Sequence, residues 1–152
     1  GDSVGDIGCY EMHAAAKLPQ TNDNCGNAIN LDMNLETYVF SSTSWATADN
    51  KASTICGDTS TISRSSSPGV WFVATGTGER MVASVRYHDF GFSDIQVLVF
   101  AGTCTTLVCI GDHLDRYGSR LALWDSDPGA PYYIMINGKH NSSFGDFALF
   151  LY

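Results

Sequence analysis

Five cysteines, four histidines and sixteen acidic residues are the groups in this chain with reactive or ligating chemistry. The histidines are His13, His88, His113 and His140. None has the His-Glu-x-x-His spacing of a zinc protease. His88-Asp89 and His113-x-Asp115 are fragments of an acid–base or metal pair, but both fall in polar stretches between apolar runs, where exposed side chains are the plainer reading. The chain therefore reads as a non-enzyme.

Asp89, Asp94, Asp112 and Asp115 flank the apolar run Ile95–Phe100 and are the candidate ligands for a Ca²⁺ ion. That ion takes about six to eight oxygens from such loops. No EF-hand loop is present, since Asp32-x-Asn34 lacks the remaining ligands. The same carboxylates are ordinary in an acidic protein, and no cofactor is required.

Cysteine usage points to disulfides and an extracellular or cell-surface location. Cys104 and Cys109 follow a strand and are expected to close a small loop, with Cys25 and Cys56 as the second pair and Cys9 left unpaired or intersubunit. Asn141-Ser142-Ser143 is an N-glycosylation sequon in a polar loop. Glycan contact by the protein itself would use exposed aromatics, with Trp45, Trp124, Tyr133 and Tyr152 as candidates and Trp71 assigned to the core.

The elements that must position these residues are strands. Val70–Ala74, Met81–Tyr87 and Ile95–Phe100 are short runs rich in β-branched and aromatic residues, separated by turn-rich segments. Leu35–Phe40, a short stretch near Ser44–Thr47, Ser119–Trp124, Pro131–Asn137 and Asp146–Tyr152 add further strands. Residues 41–67 hold 14 Ser or Thr in 27 positions and read as loop, because these side chains compete for backbone hydrogen bonds. Asp125–Ala130 is a turn with Pro and Gly at favoured positions. About nine strands with almost no helix make an all-β antiparallel sandwich, jelly-roll-like, over residues 22–152. Residues 1–21 read as an N-terminal arm or linker.

Charged residues are only 16% of the chain, against roughly 25% in an average soluble protein. Net charge is −8, and the eight Lys and Arg are scattered. Nucleic acid is thus not an expected partner, since phosphate binding needs a basic patch. No apolar run approaches the roughly 18 residues of a membrane span.

Several motifs resemble a known family. Asn22-Asp23-Asn24-Cys25 opens the domain, and Gly69-Val70-Trp71-Phe72 lies on a strand. SDIQVLVFAGTC at 93–104, CIGD at 109–112 and the closing PYYIMINGKHNSSFGDFALFLY at 131–152 follow in order. Together they resemble the pre-peptidase C-terminal-like and related secreted jelly-roll modules of cell-surface proteins. Ser93-Asp94-Ile95 stands where that family has Phe-Asp-Thr, so only Asp94 carries over there. The resemblance implies a non-catalytic module used for adhesion, glycan contact or as an appendage to a secreted enzyme.

Pro131–Asn137 and Asp146–Tyr152 are apolar on both faces, which a two-layer sandwich does not by itself need. Either a further layer covers the outside or a partner does. The arm carries Ile7, Cys9, Tyr10 and Met12, which a plain solvated linker seldom keeps. These features lead to the expectation of an extracellular structural or adhesive module that self-assembles into a filament or surface layer. Its contacts would use Ile7, Tyr10, Met12, Met135 and Phe150. Its partners are then itself or cell-surface glycans, with a carbohydrate-binding module and an enzyme appendage as the alternatives.

Overall fold

The computed structural model describes residues 20–32, 38–49, 56, 67–87, 95–110, 120–138 and 143–152. Among these residues are nine strands: β1 (Ile29–Leu31), β2 (Tyr38–Ser42), β3 (Gly69–Thr75), β4 (Arg80–Tyr87), β5 (Ile95–Ala101), β6 (Val108–Cys109), β7 (Leu121–Asp125), β8 (Pro131–Gly138) and β9 (Asp146–Leu151). One turn of 3₁₀ helix, Cys25–Asn27, precedes them.

Four antiparallel pairs are nested within one another: β2 with β9, β3 with β8, β4 with β7, and β5 with β6. The chain is thus one long hairpin folded over on itself. Its strands divide into a sheet β2-β9-β4-β7 and a sheet β1-β3-β8-β5-β6. This is the jelly-roll wrapping. β1 is an addition to it, running parallel to β3 with Ile29 opposite Phe72.

Strand alternation builds the core between the sheets. Val70, Phe72 and Ala74 of β3 and Ile134 and Ile136 of β8 face Met81, Ala83 and Val85 of β4 and Phe147 and Leu149 of β9, all buried in one cluster. Phe72 and Phe147 meet edge-to-face at 6.3 Å across the layers. The ends are held by turns. Ser126 Oγ accepts the N–H groups of Thr77 at 3.0 Å and Gly78 at 3.2 Å and donates to Glu79 O at 2.8 Å. Asp127–Ala130 closes through Ala130 N–H to Asp127 O, with Gly129 at φ 78° where a side chain would be strained.

A second apolar cluster covers the outer face of the five-stranded sheet. Trp71, Leu98, Phe100 and Met135 are fully buried there beneath Cys25, Ala28, Cys56, Leu107 and Cys109. The Trp71 and Phe100 rings lie 5.5 Å apart. Trp71 also exchanges backbone and amide hydrogen bonds with Asn22, which anchors the opening motif onto β3.

Three expectations are corrected. The disulfides join Cys25 to Cys104 and Cys56 to Cys109, not Cys25 to Cys56 and Cys104 to Cys109. The bridges tie the covering layer down onto the five-stranded sheet, where a local Cys104–Cys109 loop would leave that layer unattached. Second, Ser44–Thr47 forms no strand: Ala46 N–H turns back to Thr43 O, and the nearby pairing is a single bridge between Ala48 and Pro68. Third, the described part of the first expected strand runs to Ser42, and Leu35 lies outside the described residues.

Candidate interaction surface

Among the described residues, no comparable layer covers the aromatic side chains on the outer face of the four-stranded sheet. Alternation places Tyr38, Phe40 and Ser42 of β2 beside Phe150, Ala148 and Asp146 of β9, with Ser84 and Arg86 of β4 next along the sheet. Tyr152 continues the row, fixed by reciprocal backbone hydrogen bonds with Val82 at 3.0 Å. Phe40 is 69% exposed, Tyr152 61% and Tyr38 54%. Trp45 and Phe144 are also about half exposed, and they sit where Thr43 and Gly145 extend the same ladder. The other exposed large apolar side chains among the described residues, Ile29 and Val108, belong to short strands of the opposite sheet.

The rings interlock. Tyr38 and Phe40 meet at 5.0 Å with planes 78° apart, Tyr38 and Phe150 at 5.7 Å and 39°, and Phe150 and Tyr152 at 6.5 Å and 7°. The Arg86 guanidinium lies 5.1 Å from the Phe150 ring centre and covers that ring. Tyr38 and Phe40 cross at a steep angle and form a ridge, while Phe150 and Tyr152 beside them lie nearly parallel. Among the described residues the charges of the ridge balance, Arg86 and Arg80 lying on the same face as Asp146 and Asp125, on a chain of net charge −8. Arg80 Nε donates to Asp125 Oδ1 at 2.9 Å, and that hydrogen bond, with the guanidinium charge, holds the Asp125 carboxyl below its ordinary pKa.

Among the described residues, the edge beside this ridge carries none of the usual guards. β2 ends the sheet, pairing with β9 alone among the described strands. Its sequence, Tyr-Val-Phe-Ser-Ser, has neither charge nor proline. Natural edges are usually blunted by such residues or by shortness. The other edges are shorter or charged: β1 and β6 have three and two residues, and β7 ends in the ion-paired Asp125.

Beside β7 a cleft of about 470 Å³ opens between Trp124, Tyr132, Ile110 and the Arg80–Asp125 pair. Among the described residues, its lining holds no histidine, cysteine or serine to act as a nucleophile–base pair. No cluster of metal-ligating side chains occurs among the described residues. The Ca²⁺ candidates Asp89, Asp94, Asp112 and Asp115 lie outside those residues, as do the four histidines, Asn141, Cys9, Ile7, Tyr10 and Met12.

No protein-family model matches the chain, and no curated protein sequence matches it. The likeness to pre-peptidase C-terminal-like modules therefore rests on the motifs alone. No helix among the described residues is long and apolar enough to cross a membrane. The two disulfides suit folding in an oxidising compartment.

Of the glycan-contact candidates, Trp45 and Tyr152 are exposed near the ridge, while Trp124 is 5% exposed in the core and Tyr133 is half-buried on the opposite sheet. Trp124 has an inward register position on β7, so it packs against Tyr132 instead of facing solvent. Of the assembly candidates, Phe150 lies in the ridge, whereas Met135 is sealed beneath the disulfide layer. Tyr38, Phe40, Phe144 and Arg86 were not singled out from sequence. The available signal was the aromatic-rich, charge-free run ending at Ser42, whose outward residues only the register with β9 identifies.

Proposed function

We propose that this protein is a non-catalytic extracellular structural module that assembles with copies of itself, with the aromatic ridge on β2 and β9 as a principal contact surface. The ridge carries the proposal: exposed aromatics concentrated on one sheet face, locally neutral on an otherwise acidic chain, mark a surface built to be covered. Interlocked rings support a protein partner over a stacked glycan. The charge balance lets two copies approach on this face without the repulsion that a net charge of −8 would otherwise impose. Residues 1–21, with their apolar Ile7, Tyr10 and Met12, supply a second contact by reaching a neighbouring copy, and head-to-tail repetition of that contact gives a filament. The motif likeness to secreted jelly-roll modules supports an adhesive or structural role of this kind.

Light scattering and electron microscopy of the full chain over a concentration series test the reading. Oligomers are expected that weaken when Tyr38 and Phe40 are changed to Ser. Weakening is also expected when Ile7, Tyr10 and Met12 are changed to Ser. A full chain that stays a compact monomer at every concentration refutes self-assembly, and glycan-array binding by that monomer favours a carbohydrate-binding module instead.

A further inference from the structure

We infer that two copies of this chain join through their β2 edges, antiparallel about a two-fold axis at Phe40, to make one continuous eight-stranded sheet. The inference deepens the self-assembly reading and rests on it. Backbone geometry motivates it. Thr43 donates its N–H to Gly145 O, so Thr43 turns its backbone polar groups toward β9. Those groups alternate in direction along an antiparallel strand, so Ser41 and Val39 also face β9 while Ser42, Phe40 and Tyr38 face outward. The reciprocal bonds between Tyr152 and Val82 agree, because they turn the alternate residues of β9 toward β4.

A strand with three outward residues centred on Phe40 is self-complementary. Turned about an axis at Phe40, the Phe40 N–H of each copy donates to the Phe40 C=O of the other, and Tyr38 lies opposite Ser42 of that copy. Directly opposed residues share a face, so the two Phe40 rings come side by side and the two aromatic ridges fuse. A second copy is the occupant favoured here because the ridge is locally neutral. Nothing on β2 blocks strand addition. The two-fold contact closes on itself and yields pairs; contacts by residues 1–21 would then link pairs into the filament.

Disulfide trapping in the full chain tests the register. Opposed Cα atoms at a hydrogen-bonded pair are about 5.5 Å apart, within disulfide reach. In a Cys9→Ser background, Phe40→Cys is expected to give a reducible dimer under mild oxidation. Tyr38→Cys is expected to give none, because the two copies of residue 38 lie far apart along the edge. Phe40→Pro is expected to abolish pairing while keeping the thermal midpoint near that of Phe40→Ser, since the lost N–H takes no part in the β2–β9 ladder. If the wild type assembles but Phe40→Cys does not cross-link, or Tyr38→Cys cross-links equally well, the two-fold is overturned and self-assembly stands. Cross-linking of Phe40→Cys to Cys9 in the native background also overturns it, placing the neighbour's arm on the edge. A wild type that never assembles overturns both.

Discussion

Replacing Cys56 and Cys109 with alanine is expected to destabilise the domain by about 4 kcal/mol. The bridge joins positions 53 residues apart. Chain-entropy reasoning assigns a loop of that length about 4 kcal/mol, against about 2 kcal/mol for the short loop that a Cys104–Cys109 bridge would close. Cys25–Cys104, spanning 79 residues, is worth about 4.5 kcal/mol on the same basis. The two loops interleave, so removing both costs less than the sum. Alanine is the better replacement, because Cys56 is buried beside Trp71, Leu98 and Met135 and a serine hydroxyl there would add its own desolvation cost. Urea unfolding of the oxidised wild type and the double variant gives the difference directly. At this domain size, it corresponds to a fall in midpoint of about 8–16 °C. Peptide mapping without reductant checks the connectivity. A difference under about 1 kcal/mol, or a peptide linking Cys104 to Cys109, would refute both the pairing and the role assigned to it.

Other consequences follow from the core, the turns and the surface charge pair. Phe72→Ala empties the centre of the inter-sheet layer beside Phe147 and is expected to cost about 3–5 kcal/mol in chemical denaturation. Ser126→Ala leaves the Thr77 and Gly78 N–H groups without their acceptor and is expected to cost about 1–3 kcal/mol, with faster amide exchange confined to the two turns it joins. The Asp125 carboxyl, lowered by its hydrogen bond to Arg80, contributes stability above its unfolded pKa that is lost as pH falls through its lower folded value. NMR titration should place its midpoint below the ordinary carboxylate range, Arg80→Ala should return it to that range, and an unshifted wild-type midpoint would rule out the pairing. The exposure of both partners keeps the effect on overall stability small.

Much of the fold was legible because strand signals are local. Val70–Ala74, Met81–Tyr87 and Ile95–Phe100 declare themselves by β-branched and aromatic runs, and Asp127-Pro128-Gly129 by turn chemistry, each readable without knowing any partner. β1 and β6 escaped notice because three and two residues carry no periodicity. The expected strand at Ser44–Thr47 failed because hydroxyl side chains favour local turns, as the Ser42–Ser44 hydrogen bonds illustrate.

The ridge shows the same division. Sequence alternation determined that β8 and β9 each have two apolar faces. Only the tertiary structure decided that the outer face of β8, with Met135, is sealed by the Cys25 and Cys109 layer while Phe150 on β9 sits beneath open aromatic rings. Cysteine count and setting determined that disulfides form, and the wrapping of the hairpin decided which sulfurs meet. The physical reason is that a strand's pattern records which side chains share a face, whereas the layer lying over that face comes from residues distant in the chain, brought there by folding.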